Sequence, residues 1–330
     1  MERAVVVDAP GRARVADVDV PVTGPGDALV RVGAAGICGS DRELFAGTRD
    51  AGFVSYPVTP GHEWAGTVEA VGDGADPGLV GAVVVGEGFR ACRMCERCRA
   101  GRTNLCLAGY DETGFTRPGA CADHLAIPAH LLHVLPAGTD VRAAALIEPA
   151  AVVAAALAQA PPEPGERVAV VGGGTLGLLA VQFLAAYPVA GVAVIEPRAA
   201  REPAARAAGA TAFLPPGDGS AYDVVIEAAG APGTARAAVR LARPGGRVVL
   251  TGLPGDPSDA VPTSDLVTRA VRLGTVFGAA SGDWGRAVRA FTTGVIDSRP
   301  LIDRVLPLED YRTALDLSGA PDAGKILLQP

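Results

Sequence analysis

Four of the six cysteines in this 330-residue chain, Cys92, Cys95, Cys98 and Cys106, fall within fifteen positions in the spacing C-x2-C-x2-C-x7-C. In a reducing compartment, thiols this close bind a metal more readily than they pair as disulfides. Zinc enclosed by four thiolates is the structural form of such a site. Arg90, Arg93, Arg97, Arg99 and Arg102 surround the cysteines and favour the thiolate. Cys121 stands apart and reads as a small buried hydrophobe.

A second chemical signal is the run Gly172-Gly173-Gly174-Thr175-Leu176-Gly177. It follows the apolar strand Val168–Val171 and opens an apolar helix, and a second strand ends at Glu196, nineteen positions after Gly177. Gly172 permits the tight turn, Gly174 lets a pyrophosphate approach the backbone, and Gly177 allows helix and strand to pack. Thr175 and Leu176 begin the helix whose amides face the phosphates. Glu196 suits the ribose hydroxyls of NAD and repels a 2′-phosphate. Arg198 and Arg201 lie close by and keep NADP as an alternative. Three further segments carry donors without a spacing that joins them: Cys38 with Ser40 and Asp41, His62 with Glu63, and Glu148 before Pro149.

The elements that must position these groups fall into two textures. Residues 1 to about 145 read as short β-runs between Gly, Pro and Asp, a rolled or barrel-like all-β half. From Arg167 strand and helix alternate, which implies a parallel sheet with right-handed crossovers. Pro215–Tyr222 is too short for a crossover helix, so one is expected to be missing there. The last fifty residues read as short strands and loops.

Composition narrows the function classes. Apolar residues make up 49% and charged residues 20%, enough to bury a core, so a disordered chain is excluded. A net charge of −7 without a basic block argues against a nucleic-acid partner. The most apolar run, residues 144–158, contains Glu148 and reads as no membrane span. The first residues lack a signal peptide's pattern, and a cytoplasmic location is expected.

Taken in order, Cys-Gly-Ser-Asp at Cys38–Asp41, Pro-Gly-His-Glu at Pro60–Glu63, the four-cysteine lobe, Glu148-Pro149 and the glycine run strongly resemble the zinc-dependent medium-chain dehydrogenase/reductase family. The resemblance covers essentially the whole chain. It implies an α/β fold: a GroES-like β-rich catalytic domain over 1–149 and 278–330, with a structural zinc lobe at 90–108, and a Rossmann domain with a doubly wound parallel sheet over 150–277. It implies Cys38, His62 and Glu148 as ligands of a catalytic zinc, with Glu63 a fourth or exchanging ligand. This Cys/His/Glu/Glu set is similar to the polyol dehydrogenase branch. The implied activity is hydride transfer from a small-molecule secondary alcohol to NAD, giving a ketone. Ser40 matches the family's proton-relay hydroxyl. Glu43 stands where many members carry a histidine, and it either passes the proton on or faces water. Asp41 either orients His62 or caps a turn. A homodimer or homotetramer is implied, with 273–277 pairing across a two-fold axis.

Two segments, Tyr56–Val68 and Gly114–Ala122, look like those of 2-deoxy-scyllo-inosamine dehydrogenases, which act in aminoglycoside antibiotic biosynthesis. An aminocyclitol is therefore the leading substrate expectation. Sorbitol-, butanediol- and threonine-type dehydrogenation use the same core, and a non-enzymatic NAD-binding protein is a further alternative.

Overall fold

The structure, a computed structural model, describes residues 1–217, 219, 221–253 and 259–330. It divides into two compact units. The first comprises Met1–Glu148, Ala280–Thr292 and Ser298–Pro330, the second Pro149–Ala279 and Thr293–Asp297. The sequence places the crossings after 149 and after 277, without the return at 293–297. That return follows from Gln182, whose side chain donates to the Asp297 carbonyl and accepts from the Asp297 amide.

In the first unit a seven-stranded sheet includes, in spatial order, Ile302–Pro307, Lys325–Gln329, Asp27–Gly36, Glu63–Val71, Val83–Gly86 and Leu132–Val134, with His124–Pro128 paired to Asp27–Gly36. Along Asp27–Gly36 the buried Ala28, Val30, Val32 and Ala34 alternate with more exposed residues, the period of a half-buried strand. Trp64, Phe115, Leu125 and Ile127 fill the core beneath it. The register matters for the site. Gly36 pairs with Glu63 on one side and with Leu327 on the other, so three segments distant in sequence meet on one line.

The second unit is a six-stranded parallel sheet ordered Ala212–Leu214, Gly191–Ile195, Arg167–Val171, Tyr222–Glu227, Ala242–Leu250, Arg272–Thr275. In chain order this is 3-2-1-4-5-6, the doubly wound dinucleotide-binding arrangement. The described residues of the link between Leu214 and Tyr222 hold no helix.

Two expectations need correction. The last fifty residues contain the helices Ser281–Thr292 and Tyr311–Ser318, and the β-rich half contains the helix Gly39–Ala46. The buried faces Trp284/Ala287/Ala290 and Tyr311/Ala314/Leu315 have helical spacing. Alanine makes the first stripe weakly apolar, so it is hard to see in the sequence. By length and composition Val141–Gln159 is able to span a membrane, but 67% of its apolar window is buried inside the protein.

Candidate active site and metal centres

Cys38 sits at the start of the helix Gly39–Ala46, where its amide donates to Asp41 Oδ2 at 2.8 Å. His62 and Glu63 follow a turn at Gly61, which has φ +103° and where a Cβ would lie 2.7 Å from the Cys121 amide. The ligand atoms of Cys38, His62 and Glu63 come within 4.8 Å of one another. A thiolate, an imidazole and a carboxylate are donors that suit zinc. Asp41 is fully buried and places Oδ1 3.5 Å from His62 Nδ1, so it both caps the helix and faces the imidazole. Burial works against a charge on His62, and Asp41 and Cys38 overcome it, lifting its pKa well above the ordinary value. Ser40 Oγ lies 3.4 Å from His62 Nε2.

Glu63 is not free. Lys325 Nζ donates to both of its oxygens, at 2.8 and 2.5 Å, and to the Ile37 carbonyl at 3.1 Å, all of it buried. Gly36 makes this fit, since a Cβ there would stand 2.2 Å from Glu63 Oε2. Glu148 lies in the first turn of the helix Ile147–Gln159, outside the three-donor set. Burial pushes its carboxyl up to about 8, with His62 opposing and Glu63 and Glu112 adding to the rise. Glu43 is partly exposed, with a carboxylate oxygen 3.9 Å from Arg49 Nη1.

Cys92, Cys95, Cys98 and Cys106 form the second donor set, all within 4.8 Å. Sulfur–sulfur distances of 3.4 Å for Cys95–Cys98 and 3.9 Å for Cys92–Cys98 bracket the roughly 3.8 Å edge of a tetrahedron with zinc–sulfur bonds of about 2.3 Å. The amides of Cys95, Cys98, Leu107 and Ala108 point at these sulfurs. Amides of Leu107 and Cys98 hold the Cys95 thiol down to about 6, while burial and Cys95 push Cys98 up to about 12. The donors fit a closed zinc site.

In the second unit a cavity of about 890 Å³ is lined by Gly172, Gly174, Glu196, Arg198 and the loop 228–233. A Cβ at Gly177 would stand 1.9 Å from the Gly172 carbonyl, so packing alone demands glycine there. A Cβ at Gly174 would meet nothing within 4 Å, so the protein itself leaves that space open. Thr175 begins the helix Thr175–Ala185, with Leu176 in its first turn. Glu196 accepts from the Gly173 amide at 2.8 Å and from Arg198 Nε and Nη2 at 2.6 and 2.8 Å. Burial opposes its ionisation, but Arg198 and the Gly173 amide outweigh that and lower its pKa. Arg201 Nη1 donates to the Gly173 carbonyl.

Sequence reasoning missed Lys325 and, in a cluster beside His62, Arg49. Lys325 is the only lysine in the chain, a singularity that was visible but had no spacing to give it meaning. In the cluster, the Phe115 ring lies 4.8 Å from the His62 ring, and the Arg49 guanidinium lies 3.9 Å from the Phe115 centroid.

Known families place this geometry. The alcohol dehydrogenase GroES-like domain family matches residues 24–137, and the zinc-binding dehydrogenase family matches residues 175–293. The chain belongs to the zinc-type medium-chain alcohol and polyol dehydrogenases. This dehydrogenase is 32% identical over 321 residues, 92% of each chain, to 2-dehydro-3-deoxy-L-galactonate 5-dehydrogenase of Pseudoalteromonas atlantica. Among solved structures it is similar to a zinc-binding dehydrogenase of Sinorhizobium meliloti bound to NADP. That match has a TM-score of 0.92 and 31% identity, covering 100% of this chain and 99% of the other. It is also similar to a cobalt- and zinc-bound thermostable alcohol dehydrogenase of Pyrobaculum aerophilum, with a TM-score of 0.89 and 30% identity over 100% and 99% of the two chains.

Proposed function

We propose that this dehydrogenase oxidises a secondary alcohol of a polyol or aminocyclitol to a ketone with NAD, and that 2-deoxy-scyllo-inosamine is the candidate substrate. The observation that carries the reading is the convergence of Cys38, His62 and Glu63 in a zinc-dehydrogenase fold. Cys38, His62 and Glu148 would hold the catalytic zinc, with Glu63 joining only if it leaves Lys325. Cys92, Cys95, Cys98 and Cys106 would hold the structural one. Bound there, zinc supplies Lewis acidity that eases ionisation of an alcohol. Asp41 fixes the His62 ring, and the Ser40 hydroxyl takes up the alcohol proton, with Glu43 as its route to solvent. The 890 Å³ cavity takes the adenosine part of the cofactor, with pyrophosphate at Gly172–Gly177 and the ribose at Glu196.

The aminocyclitol assignment is supported by the segments Tyr56–Val68 and Gly114–Ala122. Sorbitol-, butanediol- and threonine-type substrates are the alternatives. NADP is a second reading of the cofactor, favoured by Arg198 against Glu196 and by the NADP-bound neighbour. We place the enzyme in the cytoplasm as a homodimer or homotetramer.

The test is metal content of the purified chain together with NADH formation on a panel of polyols and aminocyclitols. Two zinc ions per chain, falling to one in Cys38→Ala with loss of turnover, is the expected result. One zinc in the unaltered chain and no hydride transfer to NAD or NADP on any member of the panel would overturn it.

A further inference from the structure

The wall beside His62 carries a carboxylate that the reaction above does not use. Glu112 is 7% exposed. Tyr110 Oη donates to its Oε2, while Oε1 takes no hydrogen bond among the described residues and is not sealed off. Across from it, a Cβ at Gly88 would stand 3.0 Å from Oε1, so bare backbone leaves the carboxylate its room. Arg49 Nη2 donates to Tyr110 Oη at 2.9 Å and lies 3.9 Å from Glu112 Oε2. Its guanidinium covers Phe115, which in turn touches His62. A contiguous path thus joins His62 to Glu112.

A buried carboxylate with a spare oxygen is costly unless a donor reaches it. Beside a site that takes an alcohol, the substrate can supply that donor. Arg49, held by the Phe53 carbonyl and Tyr110, sets a cation beside that acceptor. Such a surface suits a molecule with a second polar group next to the reacting carbon and rejects one that leaves the carboxylate unpaired.

We propose that Glu112 is a specificity-determining residue that accepts a hydrogen bond from a hydroxyl or ammonium group adjacent to the reacting carbinol. The assignment rests on the proposed placement of the alcohol at Cys38, His62 and Glu148. It makes vicinal polyols and amino alcohols the substrate class, and isolated alcohols poor ligands.

Ligand-observed NMR titration of the zinc-loaded full chain tests this with cyclohexanol, trans-1,2-cyclohexanediol and trans-2-aminocyclohexanol. The native chain should bind the diol or the amino alcohol at least about tenfold more tightly than cyclohexanol. Glu112→Leu should erase that preference, with diol or amino alcohol binding weakened and cyclohexanol binding equal or tighter. The stronger member of the pair tells hydroxyl from ammonium. Equal binding of all three by the native chain, or an intact preference in Glu112→Leu, overturns the proposal. Should circular dichroism show Glu112→Leu unfolded, the near-isosteric Glu112→Gln decides: a preference unchanged on neutralising the carboxylate overturns it, and a severalfold loss supports it. Turnover is read separately. No hydride transfer by the native chain, with a binding preference that Glu112→Leu removes, counts against the proposed function and leaves the role of Glu112 standing.

Discussion

The buried pair of Glu63 and Lys325 shows how far one side chain's fate depends on another 262 positions away. Removing one partner of a buried ion pair strands the other charge in a medium that solvates it poorly. Lys325→Met should therefore cost about 3–5 kcal/mol of stability in urea unfolding. A loss below about 1 kcal/mol would mean that Glu63 finds another partner or water. The sequence made Cys38, His62 and Glu63 legible because each stands in a short motif. It could not reveal that Glu63 is held by Lys325, because that contact arises only when Lys325–Gln329 docks beside Asp27–Gly36. Glu112 was hidden for a similar reason. It is one acidic residue among many until Gly88, Tyr110 and Arg49 close around it.

Elements are joined by charge as well as by the sheet. His124 in the strand His124–Pro128 meets Glu2 Oε2 through Nδ1 at 2.5 Å and Glu69 Oε2 through Nε2 at 2.8 Å. These contacts tie the N-terminal hairpin Glu2–Val18 and the strand Glu63–Val71 to it. With a carboxylate at each ring nitrogen, the imidazolium form is favoured. Burial opposes it, and the hydrogen bonds to Glu69 and Glu2 outweigh burial, raising the His124 pKa. A raised folded-state pKa gives stability that is fully present below the unfolded value of about 6.5 and is lost as pH climbs through the folded value. His124→Gln should thus destabilise the protein more at pH 5.5 than at pH 9 in paired urea melts. Partial exposure keeps the effect within about 1 kcal/mol, and an equal loss at both pH values would refute the ion-pair account. Element order was readable where period and punctuation were strong, as in the strand, glycine run and helix at Arg167–Ala185. The helix Ser281–Thr292 was not, because two small alanines on its buried face give a faint stripe.

At the scale of the whole molecule, the parallel sheet ends on Arg272–Thr275, an edge strand with an open row of backbone groups. Leu273 and Phe277 are 38% and 36% exposed there. If a second copy covers this edge, a charge at its centre should weaken the assembly. Leu273→Asp should move the species seen by light scattering towards the 33.2 kDa chain mass, and a native chain already at that mass would exclude the pairing. The two-unit layout and net acidity were plain from the sequence, whereas an edge becomes visible only once strand order is known. The solitary, buried Lys325 also has a practical use. A sample grown with nitrogen-15 lysine carries one labelled ammonium, and that ammonium grips Glu63 beside Cys38 and His62. Its lone resonance would report whether Glu63 stays paired or is released as metal, cofactor and alcohol are added in turn, with no competing signal to assign.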